Sequence, residues 1–260
     1  VDTCILGEGV SVEPGGALRR HVLLESNGQP DRPGRAPTAR RNSPYASRPA
    51  FRTWPRLSYP GWIKRGLDIV AALVVLVLFL PILPLLALAV KVSSPGPIFF
   101  KHRRQGLHGK TFGCIKFRTM KAGADAIQDK LRFVCEVDGP QFKMADDPRI
   151  TGVGRFLRDT YLDEIPQFFN VLCGQMSVVG PRPSPESENT LCPPWRDARL
   201  SVRPGITGLW QVCRTREPFK DFQEWIHYDM HYVRELSARL DLWICWRTFR
   251  RMVHTFVSQF

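Results

Sequence analysis

The feature that most constrains this chain is an uncharged run from Ile69 to Val90, IVAALVVLVLFLPILPLLALAV, in which no side chain is polar over 22 residues. Asp68 stands before it and Lys91 after it. As a helix it would reach roughly 33 Å, enough to cross the hydrocarbon core of a bilayer. Pro81 and Pro84 fall past its midpoint. There each removes a backbone donor and crowds an earlier carbonyl, so a break is expected. Both flanks are basic, with Arg52, Arg56, Lys64 and Arg65 ahead and Lys91, Lys101, Arg103 and Arg104 behind. A spanning helix carries its excess of Lys and Arg on the cytoplasmic side, and no such bias is visible here. A helix–break–helix hairpin that enters and leaves on one face removes the conflict. A proline-kinked single span is the alternative reading of the same residues.

The residues before this segment have a different character. The first 60 contain no lysine, nine arginines, five acidic residues and eight of the chain's 22 prolines. Such a mixture buries too little apolar area to offset its ordering entropy, so residues 1–60 are expected to form a largely disordered tail. The tail shows no secretory-signal pattern. Three parts follow: the tail at 1–60, a membrane-embedded hairpin at 61–92 and a catalytic domain at 93–260.

The whole chain carries a formal charge of +13, which points to anionic partners: nucleic acid, lipid head groups or phosphorylated substrates. No helix-turn-helix, zinc-finger or RNP-type pattern supports nucleic acid, and none is expected as a partner. The seven cysteines form no Cys-x-x-Cys pair, which argues against a zinc ribbon, a thioredoxin-type motif or a disulfide scaffold.

After Lys91 the pattern is that of a mixed α/β, mainly helical domain. Short strands are expected at Pro97–Phe100 and Thr111–Phe117, around a turn at Gly106–Gly109. Helices are expected at Ala122–Glu136, Pro166–Leu172 and Asp221–Leu236, with a short buried run at Met176–Val179. Leu236, Leu240, Trp243, Ile244 and Arg247 fall at helical spacing among arginines. That pattern suits a helix lying in a membrane interface, or equally one packed on the core.

Three places could carry chemistry. Residues 101–121 hold seven basic side chains and no acid, which reads as a solvated or head-group-binding face, or as a phosphate site. Asp163-Glu164 sits in TYLDEIPQ, where Thr160 and Asp163 have the spacing of a capping-box variant. An adjacent carboxylate pair could instead attack phosphorus while helping to hold a divalent metal. Gly180-Pro-Arg-Pro183 and Arg203-Pro-Gly205 each set an arginine in a stiff turn, suited to phosphate or simply to turning the chain.

Taken in order, the segments KRGLD (64–68), SPGPIFFKHRRQG (94–106), KFRTM (116–120), DDPRITGVGRFLR (146–158), LDEIPQFFNVLCGQMSVVGPRP (162–183), RPGITGLWQV (203–212) and LDLWI (240–244) resemble one family, the bacterial sugar transferases or monotopic phosphoglycosyl transferases. The resemblance covers Lys64 to about Val253. It implies transfer of a sugar-1-phosphate from a UDP-sugar to undecaprenyl phosphate with release of UMP, as the first membrane step of exopolysaccharide or surface-glycan synthesis. Asp163 matches the nucleophile that would form an aspartyl phospho-sugar intermediate, and Glu164 the partner acid; both would hold Mg²⁺. Arg158, Arg182 and Arg203 match arginines near the phosphates.

The resemblance further implies a re-entrant hairpin in the phospholipid of the bacterial inner (cytoplasmic) membrane, with the catalytic domain on the cytoplasmic face. It leaves the oligomeric state open, a homo-oligomer included. The chain departs from the family at Leu80-Pro81, where Ser-Pro is common, and at QVCRTREP, where Arg214 or Arg216 would replace a phosphate-binding arginine. GLWQ at 208–211 leans toward a hexose donor such as UDP-galactose or UDP-glucose. A non-catalytic membrane-anchored scaffold of a glycan assembly system is the competing reading.

Overall fold

Two helices separated by a break that contains Pro81 stand near the start of the main unit, Ser47–Phe260. The computed structural model describes residues 51–121, 123–124, 147–190, 193–215 and 221–257, together with the two-residue strands Ile5–Leu6 and Val22–Leu23. Those two strands pair in parallel within a separate N-terminal unit, Val1–Ala46. The rest of residues 1–50, and nearly all of the helix expected at 122–136, lie outside the described residues.

Residues 51–60, grouped with the tail by composition, pack on the domain. The backbone N–H of Arg52 donates to Ser201 Oγ at 2.7 Å and its guanidinium to the Val233 carbonyl at 2.9 Å. The Tyr59 hydroxyl donates to Asp241 Oδ2 at 2.6 Å. These anchors lie at least 149 residues away in sequence, and composition carries no trace of them.

A single turn of π-helix at Tyr59–Ile63 leads into α1 (Lys64–Phe79), and α2 follows at Leu83–Ser93. The chain bends by 68° between the two. Pro81 lies in the break. Pro84 lies in the first turn of α2, where an absent N–H forfeits no hydrogen bond. The expectation that both prolines break the helix is therefore corrected: Pro81 interrupts and Pro84 starts. Among the described residues no single helix is long and apolar enough to cross a membrane, although the bent pair together is.

α1 buries one stripe, Lys64, Asp68, Ala72 and Leu76, spaced four apart, and exposes Val70, Val74 and Val77. The charged end of that stripe is its anchor. Asp68 Oδ1 accepts from the Ser177 hydroxyl and the Val178 N–H, each at 2.9 Å. Lys64 Nζ lies 2.6 Å from Asp241 Oδ2.

Strand β1 (Phe99–Gln105) pairs antiparallel with β2 (Thr111–Phe117), Phe99 opposite Phe117 and Gln105 opposite Thr111. β1 runs well beyond the expected end at Phe100, because its charged residues hid the strand pattern. After β2, helix α3 (Gly152–Asp159) is capped by Thr151, whose hydroxyl accepts from the Gly154 N–H at 2.9 Å. A short α4 (Gln167–Leu172) then leads to β3 (Ser177–Val179). Arg65 on α1 donates to the Val171 and Leu172 carbonyls at 2.7 and 3.0 Å, satisfying the end of α4.

Helices α5 (Glu186–Asn189) and α6 (Pro193–Arg199) separate β3 from β4 (Gly205–Thr207), its parallel partner. The chain continues through α7 (Leu209–Cys213), α8 (Asp221–Arg234) and α9 (Ala238–Val257). The expected mixed and mainly helical class is the observed one.

One core joins α1, β2 and α4 through Ala72, Leu76, Phe112, Phe168 and Val171. A second, around Val179, Leu209, Tyr232 and Ile244, ties α7, α8 and α9 to β3. The reading of α9 as a helix packed on the core holds. Asp241 and Ile244 face the core, while Leu242, Trp246, Phe249, Val253 and Val257 line an exposed apolar face.

Candidate active site

Asp163 and Glu164 lie in a 3-10 turn, Leu162–Glu164, between α3 and α4. The turn follows Tyr161, whose φ of 61° is left-handed, a conformation uncommon for a bulky residue. That reversal aims Asp163 inward, where it is 8% exposed. The capping-box expectation is overturned. The Thr160 hydroxyl donates to the Phe156 carbonyl at 2.7 Å, and α4 begins behind Pro166 with no side-chain cap. The carboxylates are thus free of a capping role and stand where three elements converge.

Those elements bring cations. Lys116 on β2 places Nζ 2.5 Å from Glu164 Oε1. Arg158, in the last turn of α3, donates from Nε to Thr119 Oγ1 at 2.8 Å. Arg182 comes from the Gly180–Pro183 loop. Burial pushes the Asp163 carboxyl up to about 6, although Lys116, Arg158 and Arg182 pull it down; the neighbouring Glu164 charge adds to the rise. Glu164 moves the other way. Burial opposes its ionisation, but Lys116 and Arg182, with hydrogen bonds from Lys116 and Gln167, hold it below the usual range. Two adjacent acids are driven apart, one kept ionised and one poised near neutrality.

Arg104 on β1 joins the cluster. Burial, and then the charge of Arg182, lower its guanidinium to about 10. Arg104 stands directly opposite Phe112, on the hairpin face that also carries Cys114 and Lys116.

The Arg182 loop is held from behind. Arg199 donates to the Arg182 carbonyl, to Ser184 Oγ at 3.0 Å and to Asn189 Oδ1 at 2.8 Å. Its guanidinium lies 4.3 Å from the Trp195 ring and 4.7 Å from that of Trp225, with Asp229 at 3.2 Å. At the loop's start Gly180 crosses Gly205 so closely that a Cβ on Gly205 would stand 2.1 Å from the Gly180 nitrogen.

The family model of bacterial sugar transferases matches residues 59–255, and that span takes in every residue of this cluster. The chain belongs to the bacterial sugar transferase family. It is 39% identical over 193 residues to the exopolysaccharide production protein ExoY of Rhizobium meliloti, covering 72% of this chain and 84% of that protein. It is 40% identical over 200 residues to the UDP-glucose:undecaprenyl-phosphate glucose-1-phosphate transferase of Caulobacter vibrioides, covering 74% of this chain and 70% of that one. The undecaprenyl-phosphate galactose phosphotransferase of Salmonella typhimurium is 39% identical over 195 residues, 72% of this chain but 40% of that longer protein.

Within this sugar transferase not every expected residue reaches the carboxylate pair. Asp163, Glu164, Arg158 and Arg182 come together. Arg203 does not: its Nε donates to the Gly174 carbonyl at 2.9 Å, and its charged neighbours are Arg65 and Asp68. Arg214 stacks on Trp210 at 4.7 Å. Neither figures among the charges that act most strongly on Asp163 or Glu164. Arg216 lies outside the described residues. Sequence reasoning passed over Lys116, Arg104 and Arg199. The first two were visible as part of a basic run, and strand alternation with Phe112 and Cys114 could have set them on the inward face. No local signal marks Arg199.

Among the described residues no group of three or more His, Cys, Asp or Glu side chains is placed to hold a metal ion. Two adjacent carboxylates still suit Mg²⁺, which commonly takes one or two carboxylates and completes its shell with water and substrate phosphate.

Proposed function

We propose that this sugar transferase moves a hexose-1-phosphate, from UDP-glucose or UDP-galactose, to undecaprenyl phosphate through a covalent intermediate on Asp163. The observation that carries the reading is a buried carboxylate ringed by Lys116, Arg158 and Arg182 beside a second, strongly ionised carboxylate. A structural ion pair needs one cation. Three around a nucleophile suit a substrate that brings several negative charges of its own.

In the first step an Asp163 oxygen attacks the β-phosphorus, and the bond to the oxygen bridging the two phosphorus atoms breaks. UMP leaves with that electron pair, and the sugar phosphate stays as a mixed anhydride with Asp163. In the second step an oxygen of undecaprenyl phosphate attacks the same phosphorus and expels the Asp163 carboxylate. Arg158 and Arg182 neutralise the diphosphate, and Lys116 keeps Glu164 ionised and oriented. Mg²⁺ held by Asp163 and Glu164 would supply further charge neutralisation.

The bent helix pair lies as a re-entrant hairpin in the inner membrane in this reading, with the catalytic domain and the apolar face of α9 on its cytoplasmic side. The names of the relatives support a polyprenyl-phosphate acceptor and an exopolysaccharide pathway. The test is a single turnover with UDP-glucose or UDP-galactose and no acceptor. Release of UMP up to one per site, with sugar phosphate retained on Asp163, is the expected result. No UMP release with any UDP-sugar would leave a scaffold role instead.

A further inference from the structure

A second cationic site stands apart from the carboxylate pair. At the root of α1 a cavity of 420 Å³ is lined by Arg52, Arg56, Lys64, Arg65, Arg203 and Trp54. Asp68 is the one carboxylate in its wall, and it is already taken up by Ser177 and Val178. Lys64 is matched by Asp241. The four arginines have no such match: among the described residues none of them forms a salt bridge. Arg52, Arg65 and Arg203 are instead steadied by the backbone carbonyls of Val233, Val171, Leu172 and Gly174, which hold the guanidinium groups in place without neutralising them. Like charges assembled and oriented in this way repel one another unless an anion enters.

We propose that this cavity binds the phosphate and glycerol of one anionic phospholipid at the point where the hairpin leaves the membrane. Position favours a lipid over a soluble anion. Trp62, also in the wall, is largely exposed, and Ile63, Leu67 and Val70 carry exposed apolar surface up α1 from the cavity, along the path that acyl chains would take. Trp54 and Trp62 suit the head-group level, where an aromatic body meets a polar boundary. The reacting acceptor is a poorer fit, since its phosphate must reach Asp163, and none of Asp163, Glu164, Lys116, Arg158 and Arg182 lines this cavity. Arg203 and Arg65 therefore serve the membrane anchor. The inference rests on membrane insertion of the hairpin and is independent of the chemistry at Asp163.

The test is native mass spectrometry of the full chain in neutral detergent with equimolar phosphatidylglycerol and phosphatidylcholine. Retention of one phosphatidylglycerol per chain, in preference to phosphatidylcholine, is expected. Arg56→Gln with Arg203→Gln should lower that preference about tenfold, since two cations are removed from the anion's surroundings. The same charge change on α9, Arg239→Gln with Arg250→Gln, should leave it intact. Equal losses from the two pairs would overturn the site in favour of diffuse attraction. Displacement by inorganic phosphate would reassign it to a free anion, and one-for-one displacement by undecaprenyl phosphate would reassign it to the acceptor. Arg56→Gln alone guards against a folding defect, because Arg56 is exposed and its side chain makes no hydrogen bond or ion pair with a described residue; only its backbone carbonyl is used, accepting from the Trp62 N–H. Asp163→Asn should keep the lipid while losing turnover, so failure of the chemistry and failure of the lipid site are told apart.

Discussion

At Asp163 the folded protein holds a proton more tightly than the unfolded chain does. Its carboxyl titrates at about 6 when folded, against an ordinary value of 3.8. As pH rises through that interval the unfolded chain gives up its proton first, so stability falls between about pH 4 and 6 and stays lower above it. Asp163→Asn removes this penalty. In EDTA at pH 7 it should stabilise the fold by on the order of 2 kcal/mol, with the gain gone below about pH 4. Denaturant melts at both pH values check this. Turnover should move oppositely, dropping by about a thousandfold or more, as when a nucleophile is lost. A wild-type pH profile should fall about tenfold per unit below pH 6, because a protonated carboxyl cannot attack. Among the arginines, Arg182→Ala should cost kcat/KM far more than Arg103→Ala. The first acts on both carboxylates, and the second is exposed on β1. Comparable losses would return Arg182 to the status of a turn residue.

Single elements carry the site by close approach. A Cβ on Gly154 would stand 2.0 Å from the Thr119 carbonyl oxygen, so α3 rests directly on the chain leaving β2. Gly154→Ala should push the helix away and destabilise the fold by about 2 kcal/mol, with Arg158 displaced from Asp163. A thermal melt and kcat/KM should report both losses together. In the hairpin, Pro81 and Pro84 are no longer equivalent. Pro81→Leu should straighten the segment toward a spanning helix, whereas Pro84→Leu should leave the bend. Cysteines substituted at Pro60 and Pro95 and challenged with a membrane-impermeant reagent read the outcome. Both should resist periplasmic labelling in the wild-type background, and one should become reactive with Pro81→Leu. Element types were largely legible, because apolar periodicity and turn residues act locally. The reach of β1 and the starting role of Pro84 were not, since each depends on which partner lies alongside.

Among the described residues the outer face of α1 and α2 and the outer face of α9 carry exposed apolar surface, on a chain that is strongly cationic. Chelation is the prediction that belongs to this scale. EDTA should abolish turnover, because two carboxylates must approach a diphosphate of like sign, and added Mg²⁺ should restore it. Full activity in EDTA would remove the metal from Glu164's role. The amino-acid sequence by itself determined the broken apolar helix pair, the mixed class, the family and the Asp163-Glu164 pair with Arg158 and Arg182. Those are properties of composition, period and short ordered motifs. Only the tertiary structure decided that Thr160 closes the end of α3 instead of capping the turn after it, that Lys116 pairs with Glu164 while Arg104 stands within reach of the Arg182 charge, that Arg199 braces the Arg182 loop, and that Arg203 turns away to a cavity at the root of α1. Each of these depends on side chains distant in sequence meeting in a desolvated place, where burial and neighbouring charge set what a residue does. A local pattern cannot encode such surroundings.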